Sequence, residues 1–330
     1  MKLTNSAKKL AATFGMASAI AALVACSSQK FGIPEQSREF TQKVSYSTTL
    51  DVLWVIDTST SMSQHQALLA DQVGGFLDSL NSTGLDYQMA VTTMDMSASG
   101  AKGRFVAQAN TPVLLKSTTP NLAQVLSSRL KVGDNGSPTE RGLEAMKAAL
   151  SEPLKNGTNA GFLRDNSLLV VIFLTNEEDK SAAGDYVAWL DQLRPPLPLG
   201  DRSWLAHFMG VTPDDPNCKT SAWGFSSPGN RYIELAKQST GVVESICDAD
   251  LRRALTNAKA RVLEVATEYV LGRAPRVDTI RVVVDGVVVP QSETDGWSYY
   301  APNLSIRFRG NSVPKAGASI RVDFDPAAPK

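Results

Sequence analysis

Leu168, Leu169, Val170, Val171, Ile172, Phe173 and Leu174 form an apolar run with no polar interruption. A strand with one wet face alternates apolar and polar residues, so an uninterrupted run suits a central parallel strand covered on both sides. Its neighbours fit that setting. Leu50 to Ile56 is a second apolar strand, with Asp51 near its start, and Tyr87 to Thr93 and Trp204 to Val211 read as two more. Between them lie segments with helical spacing: Gln64 to Leu80, Leu122 to Leu130, Thr139 to Leu150, Tyr186 to Leu193 and Tyr232 to Gln238. Gly241 to Ile246 reads as a short strand, and Asp248 as the cap of a helix over 249–266. Thr111 to Lys116 is expected to form an edge hairpin with Gly103 to Ala107. Strand and helix in alternation predict an α/β fold, a doubly wound and mostly parallel sheet flanked by helices, over 49–271.

After Leu271-Gly272 the pattern changes, and helical spacing disappears. Asp285-Gly286, set between two valine-rich runs, is a type I′ hairpin signal. Trp297 to Tyr300, Leu304 to Phe308 and Ala318 to Phe324 read as further strands. Residues 276–330 are expected to form a small β-sandwich-like module.

The first 25 residues read as a secretory signal. Lys2, Lys8 and Lys9 precede an Ala-rich apolar stretch that ends in small residues. Leu23, Val24, Ala25 and Cys26 resemble a bacterial lipobox, in which the Cys becomes the lipidated first residue. Ser27 after it points to the outer membrane in a two-membrane envelope. Residues 26–48 are polar and read as a tether. The chain has 3 Cys; with Cys26 lipidated, Cys218 and Cys247 remain as one pair, and an exported protein favours their disulfide. Basic and acidic residues balance at 33 each, and removing the signal leaves a slightly negative chain. No basic stripe is present, which argues against nucleic acid as a partner.

Directly after the strand that ends at Ile56 stand Asp57, Ser59 and Ser61, as Asp-x-Ser-x-Ser. One carboxylate and two hydroxyls on alternate residues of a tight loop can converge on a hard cation, and oxygen donors suit Mg²⁺ or Mn²⁺ better than Zn²⁺. Ligand sites of open α/β sheets lie at the carboxyl ends of the strands, where this loop falls.

This motif and its setting resemble the metal-ion-dependent adhesion site of a von Willebrand factor type A (vWA) domain. The resemblance covers about Tyr46 to Val270. Within the family, Gly142 to Ala145, Gly161 to Arg164, Val171 to Thr175 and Ser245 to Asp248 look like secreted and lipoprotein members of proteobacterial type. The resemblance implies two further ligand loops. One supplies a Thr before a helix, matched by Thr139 ahead of Gly142 or by Ser137. The other begins Thr-Asp in the family and here reads Thr175-Asn176, so an amide stands where a carboxylate is expected. It also implies Mg²⁺ (or Mn²⁺ or Ca²⁺) as cofactor, a Cys218–Cys247 bridge, and a protein ligand that offers an acidic side chain to the metal. A lipid-anchored envelope protein that binds a macromolecule without catalysing a reaction is the expectation. A metal-independent scaffold is the alternative, and an unrecognised hydrolase is a weaker one.

Other features read as structural. Glu177, Glu178 and Asp179 look like a solvated acidic turn, and both His65 and His207 like packed or surface residues. Trp54, Trp189 and Trp204 fit the core, Trp297 the C-terminal module, and Trp223 an exposed loop. No nucleophile elbow, zinc-protease or nucleotide-binding motif is present.

Overall fold

A computed structural model describes residues 42–43, 49–83, 85–165, 167–195, 202–220, 227–248, 250–315 and 318–327. The signal segment, Cys26, most of the tether and Trp223 lie outside the described residues. Among the described residues no helix is long and apolar enough to cross a membrane.

The chain enters through a two-residue strand, β1 (Gln42–Lys43), and then forms β2 (Thr49–Ile56). The helical pattern that follows splits into α1 (Ser63–Gln72) and α2 (Gly74–Thr83). One continuous helix was the expectation, but adjacent Gly74 and Gly75 weaken it, each by about 1 kcal/mol relative to Ala. Next come β3 (Asp86–Thr93), β4 (Leu115–Lys116), α3 (Leu122–Leu130), α4 (Gly142–Ala149) and β5 (Leu168–Thr175). They are followed by α5 (Tyr186–Leu193), β6 (Trp204–Gly210), α6 (Pro216–Thr220), α7 (Asn230–Gln238), β7 (Val243–Ser245) and α8 (Arg252–Ala266).

Six of these strands form a sheet in the order β4-β3-β2-β5-β6-β7, parallel except for β4 at its edge. β4 pairs antiparallel with β3, Leu115 opposite Met89, and not with residues 103–107 as expected. Helices cover both faces. Val52, Trp54 and Ile56 of β2 with Val170, Ile172 and Leu174 of β5 belong to one buried layer. Leu53 and Val55 with Leu169, Val171 and Phe173 belong to the other. The period-two alternation of side chains thus feeds two cores, and no residue of either strand can be polar without cost. Asp51 is their one acidic residue; its carboxylate accepts bonds from the Arg164 backbone (2.8 Å), Arg164 Nε (2.7 Å) and the Ser167 hydroxyl.

From β2 the chain first builds outward through β3 to β4, then crosses to β5 on the other side of β2. The loops after β2 and β5 therefore leave adjacent strand ends for helices on opposite faces, the switch point at which open α/β sheets place their ligand sites. This is the placement that the candidate site uses.

Beyond α8, the short β8 (Tyr269–Val270) precedes β9 (Arg281–Val284), β10 (Val287–Val289), β11 (Gly296–Tyr300), β12 (Ser305–Arg309) and β13 (Ile320–Asp323). They make two small antiparallel sheets, β1-β13-β9-β10 and β11-β12-β8, around Tyr269, Val282, Trp297, Ile306, Phe308 and Val322. Asp285 (φ 48°) and Gly286 (φ 84°) are both left-handed, as a type I′ turn requires. The module is wider than its own segment. It takes β8 from the end of the expected α/β domain and β1 from the expected tether.

Candidate metal centre

β2 ends with the Asp57 N–H donating to the Leu174 carbonyl at 3.0 Å, which ties the first loop to β5. The Asp57 side chain is fully buried. Its Oδ1 accepts from the Ser59 N–H at 2.6 Å and its Oδ2 from Thr175 Oγ1 at 2.6 Å. The first of these bonds is an Asx turn, the local reason an Asp bends the chain as it leaves a strand. Ser59 and Ser61 then face each other, hydroxyl to hydroxyl, at 3.3 Å. Neither serves as a helix cap: the short 3₁₀ turn Thr60–Met62 and α1 both begin without a side-chain cap bond. Asn176 is buried, and its Nδ2 donates to Ser61 Oγ at 3.0 Å. Asp57, Ser59, Ser61 and Asn176 are thus brought together.

The loop before α4 lies over this group. Gly136 N–H donates to the Thr58 carbonyl at 2.9 Å, and a Cβ at Gly136 would meet Thr58 Oγ1 at 2.0 Å, so only glycine allows the approach. Gln66, buried in α1, donates to the Asp57 and Gly133 carbonyls, each at 2.8 Å, and accepts from the Gly133 N–H at 3.2 Å. Ser137 is half-buried; its N–H reaches Asp95 Oδ2 (3.2 Å) and its hydroxyl accepts from the Thr139 N–H (3.1 Å). Thr139 itself is exposed. The side chain that this loop turns inward is Glu140, fully buried, with no backbone N–H or basic side chain donating to it. Helix α4 starts at Gly142 and not at Thr139, because the chain just before it is held elsewhere. The Arg141 N–H donates to the Met94 carbonyl (3.2 Å), and the Glu140 carbonyl accepts from Lys180 (2.6 Å).

Glu140 lies against Asp57. Burial, with the Asp57 charge beside it, pushes the Glu140 carboxyl up to about 10. Burial also raises Asp57, against the donors Thr175 and Ser59. Among the described residues neither acid has a Lys, Arg or His ion-pair partner, and no three His, Cys, Asp or Glu side chains gather as a metal-binding group. A cation here would be held by two carboxylates with hydroxyls, a donor set of oxygens alone.

The acidic turn differs from its solvated expectation. Asp179 is buried; it accepts from Tyr232 (3.0 Å), the Leu143 N–H (3.2 Å) and Ser181 (2.8 Å), and pairs with Arg231 at 2.7 Å. It fixes the start of α4. Glu178 accepts from the Asn230 and Arg231 N–H groups at the start of α7. Asp95, Ser97 and Ser99 repeat the Asp-x-Ser-x-Ser pattern after β3. The Ser97 N–H donates to Asp95 at 2.8 Å, and the two hydroxyls stand 3.3 Å apart. The repeat is legible in the sequence. Glu140 is not, because the polar run around it has no period to say which side chain turns inward.

Cys218 and Cys247 form a disulfide. Cys218 lies in α6 and Cys247 follows β7, so the bridge closes the chain beside the outer parallel strand.

No family model and no curated protein matches the chain. Among solved structures it is similar to proximal thread matrix protein 1 of the mussel byssus, with a TM-score of 0.43 and 14% identity, over 71% of this chain and 52% of that one. It is also similar to the pilus adhesin SpaC of Lactobacillus rhamnosus GG, with a TM-score of 0.40 and 14% identity, over 86% of this chain and 39% of that one. The chain spans about half the length of the first and about two fifths of the second.

Proposed function

We propose that this chain is a lipid-anchored cell-envelope protein whose vWA-type domain binds a macromolecular ligand through a divalent cation. The observation that carries the reading is the convergence of Asp57, Ser59, Ser61 and Asn176 where the loops after β2 and β5 diverge. Asp57 and the two serine hydroxyls would hold the ion, with Asn176 orienting Ser61. The buried Glu140 carboxyl meets only that of Asp57, and among the described residues neither has a basic ion-pair partner. A hard cation such as Mg²⁺ supplies the positive charge and leaves a coordination position for an acidic side chain of the partner. Recognition of this kind needs no reaction, so the protein is read as a binding module and not as an enzyme. Lipidation at Cys26, and the outer membrane as its address, rest on the sequence of the leader.

Affinity capture from envelope extract tests the reading, with the full chain in Mg²⁺, in EDTA, and as Asp57→Ala. Retention of a partner by the wild type with Mg²⁺ alone is the expected result. Identical partners in all three favour a metal-independent scaffold. That second reading has its own observation: β10 is an edge strand whose Val287 and Val288 are 68% and 50% exposed, a surface for contacts away from the centre.

A further inference from the structure

Glu140 is an unexplained residue in a well-explained loop. It is fully buried, no backbone N–H or basic side chain donates to it, and its carboxyl shares a hydrogen bond with that of Asp57. The charge that acts on it most strongly is that of a second buried carboxylate, Asp57. Two such groups side by side repel each other unless a proton or a cation lies between them. The placement is not a by-product of loose packing. On its N-terminal side the loop is tied to the Asp57 loop through Gly136 and Gln66; at Glu140 and Arg141 the backbone bonds Lys180 and Met94. The chain is held on both sides of Glu140, whose carboxyl meets that of Asp57.

Resting on the divalent-cation reading above, we infer that Glu140 is a direct ligand of the cation, with Asp57 and the hydroxyls of Ser59 and Ser61, and that Thr139 and Ser137 are not. Thr139 is exposed, and the Ser137 hydroxyl is engaged with the Thr139 N–H. Two carboxylates match the charge of one divalent ion, so the centre binds its cation without a partner present. Hard oxygen donors select Mg²⁺ or Mn²⁺. The carboxylate absent at Asn176 is supplied from the other loop.

The arrangement makes a signed prediction. Without metal, the Glu140–Asp57 pair opposes folding; with metal, it stabilises. Glu140→Gln keeps the shape and removes the charge. It should raise the metal-free melting temperature and abolish most of the Mg²⁺-induced increase. A merely structural glutamate would give the reverse, a lower metal-free melting temperature with the Mg²⁺ increment intact.

The test is calorimetric titration of the full chain with MgCl₂ and MnCl₂, beside thermal unfolding in Mg²⁺ and in EDTA. Glu140→Gln should bind at least about tenfold more weakly, since even residues behind the ligands of a metal site are worth about 10- to 100-fold. Thr139→Ala should bind like the wild type. Where Glu140→Gln does not fold, Glu140→Asp, with a shorter reach, should lose affinity likewise. Wild-type affinity in a folded Glu140 variant, with binding lost in Asp57→Ala, overturns this inference alone. A wild type that binds neither ion at millimolar concentration overturns the cation reading and this inference together.

Discussion

Thr175 Oγ1 donates a 2.6 Å hydrogen bond to Asp57 Oδ2, joining through side chains the carboxyl ends of two neighbouring parallel strands. The same hydroxyl accepts from the Glu177 N–H at 3.0 Å, so it also sets the path of the chain as it leaves β5. One residue thereby aims the buried carboxylate and shapes the loop that carries Asn176.

Thr175→Val preserves volume and removes that hydroxyl. Asp57 Oδ2 loses its donor in a buried setting, and the Glu177 N–H loses its acceptor. The cost should be about 1–3 kcal/mol. Urea unfolding in EDTA measures it directly, and Mg²⁺ titration should show weaker binding from a misaimed Asp57. An unchanged midpoint and unchanged affinity would remove Thr175 from the site.

Gln66 holds the first and second loops together with one amide. Gln66→Ala leaves the Asp57 carbonyl and both polar groups of Gly133 without these bonds; one of the three is buried and the two at exposed Gly133 are partly buried, so a loss of about 1–3 kcal/mol is expected. The effect should be local. Amide exchange at Gly133 and Gly136 should accelerate while β2 and β5 stay protected. Uniform acceleration, or none, would show that Gln66 does not staple the loops.

The sheet was legible because β2 and β5 carry apolar residues to both faces, and only a covered parallel strand tolerates that. The first loop is legible because Asp-x-Ser-x-Ser is local and makes its own Asx turn, although Leu174, Thr175 and Asn176 complete its geometry. Elsewhere the apolar period alone does not decide where an element begins or ends, or which side chain of a loop turns inward. Gly74 and Gly75 split a helix whose apolar period runs through them. Asp248 was expected to cap α8, but its carboxylate bonds Arg253 (2.8 Å) and Asn217 (3.0 Å), and the helix begins at Arg252. The family resemblance points to Thr139 ahead of Gly142, or to Ser137, yet α4 begins only at Gly142, so the helix does not orient either residue. Which of Thr139 and Glu140 turns inward depends on bonds to Met94 and Lys180, far away in sequence.

The disulfide closes a separation of 29 residues. In the loop-entropy treatment, a cross-link of that span stabilises the folded chain by about 3–4 kcal/mol at room temperature. Replacing both Cys218 and Cys247 with Ser should lower stability by about this amount. The outer end of the sheet, β6 to β7, should loosen first. Denaturant midpoints of the double variant and of the reduced wild type should agree. A double variant as stable as the oxidised protein would show that the bridge adds nothing.

His207 should make stability fall in mild acid. It lies wholly buried in β6, where Nδ1 accepts from the Val242 N–H at 3.0 Å and Nε2 has no hydrogen-bond partner. Burial, and then the charge of Arg261, pull its pKa down to about 3. An unfolded His takes its proton near pH 6.5, as model peptides do. Between those values the unfolded chain binds one more proton than the folded one, so stability is complete above about pH 6.5 and is lost as pH falls toward 3. His207→Gln keeps an acceptor for Val242 and does not titrate. Acidic groups contribute equally to both proteins and cancel in the difference. From pH 7 to pH 4.5 the wild type should therefore lose about 1–3 kcal/mol more than the variant. Urea unfolding at several pH values measures the gap, and parallel curves would show that His207 takes up its proton alike in the folded and unfolded chains.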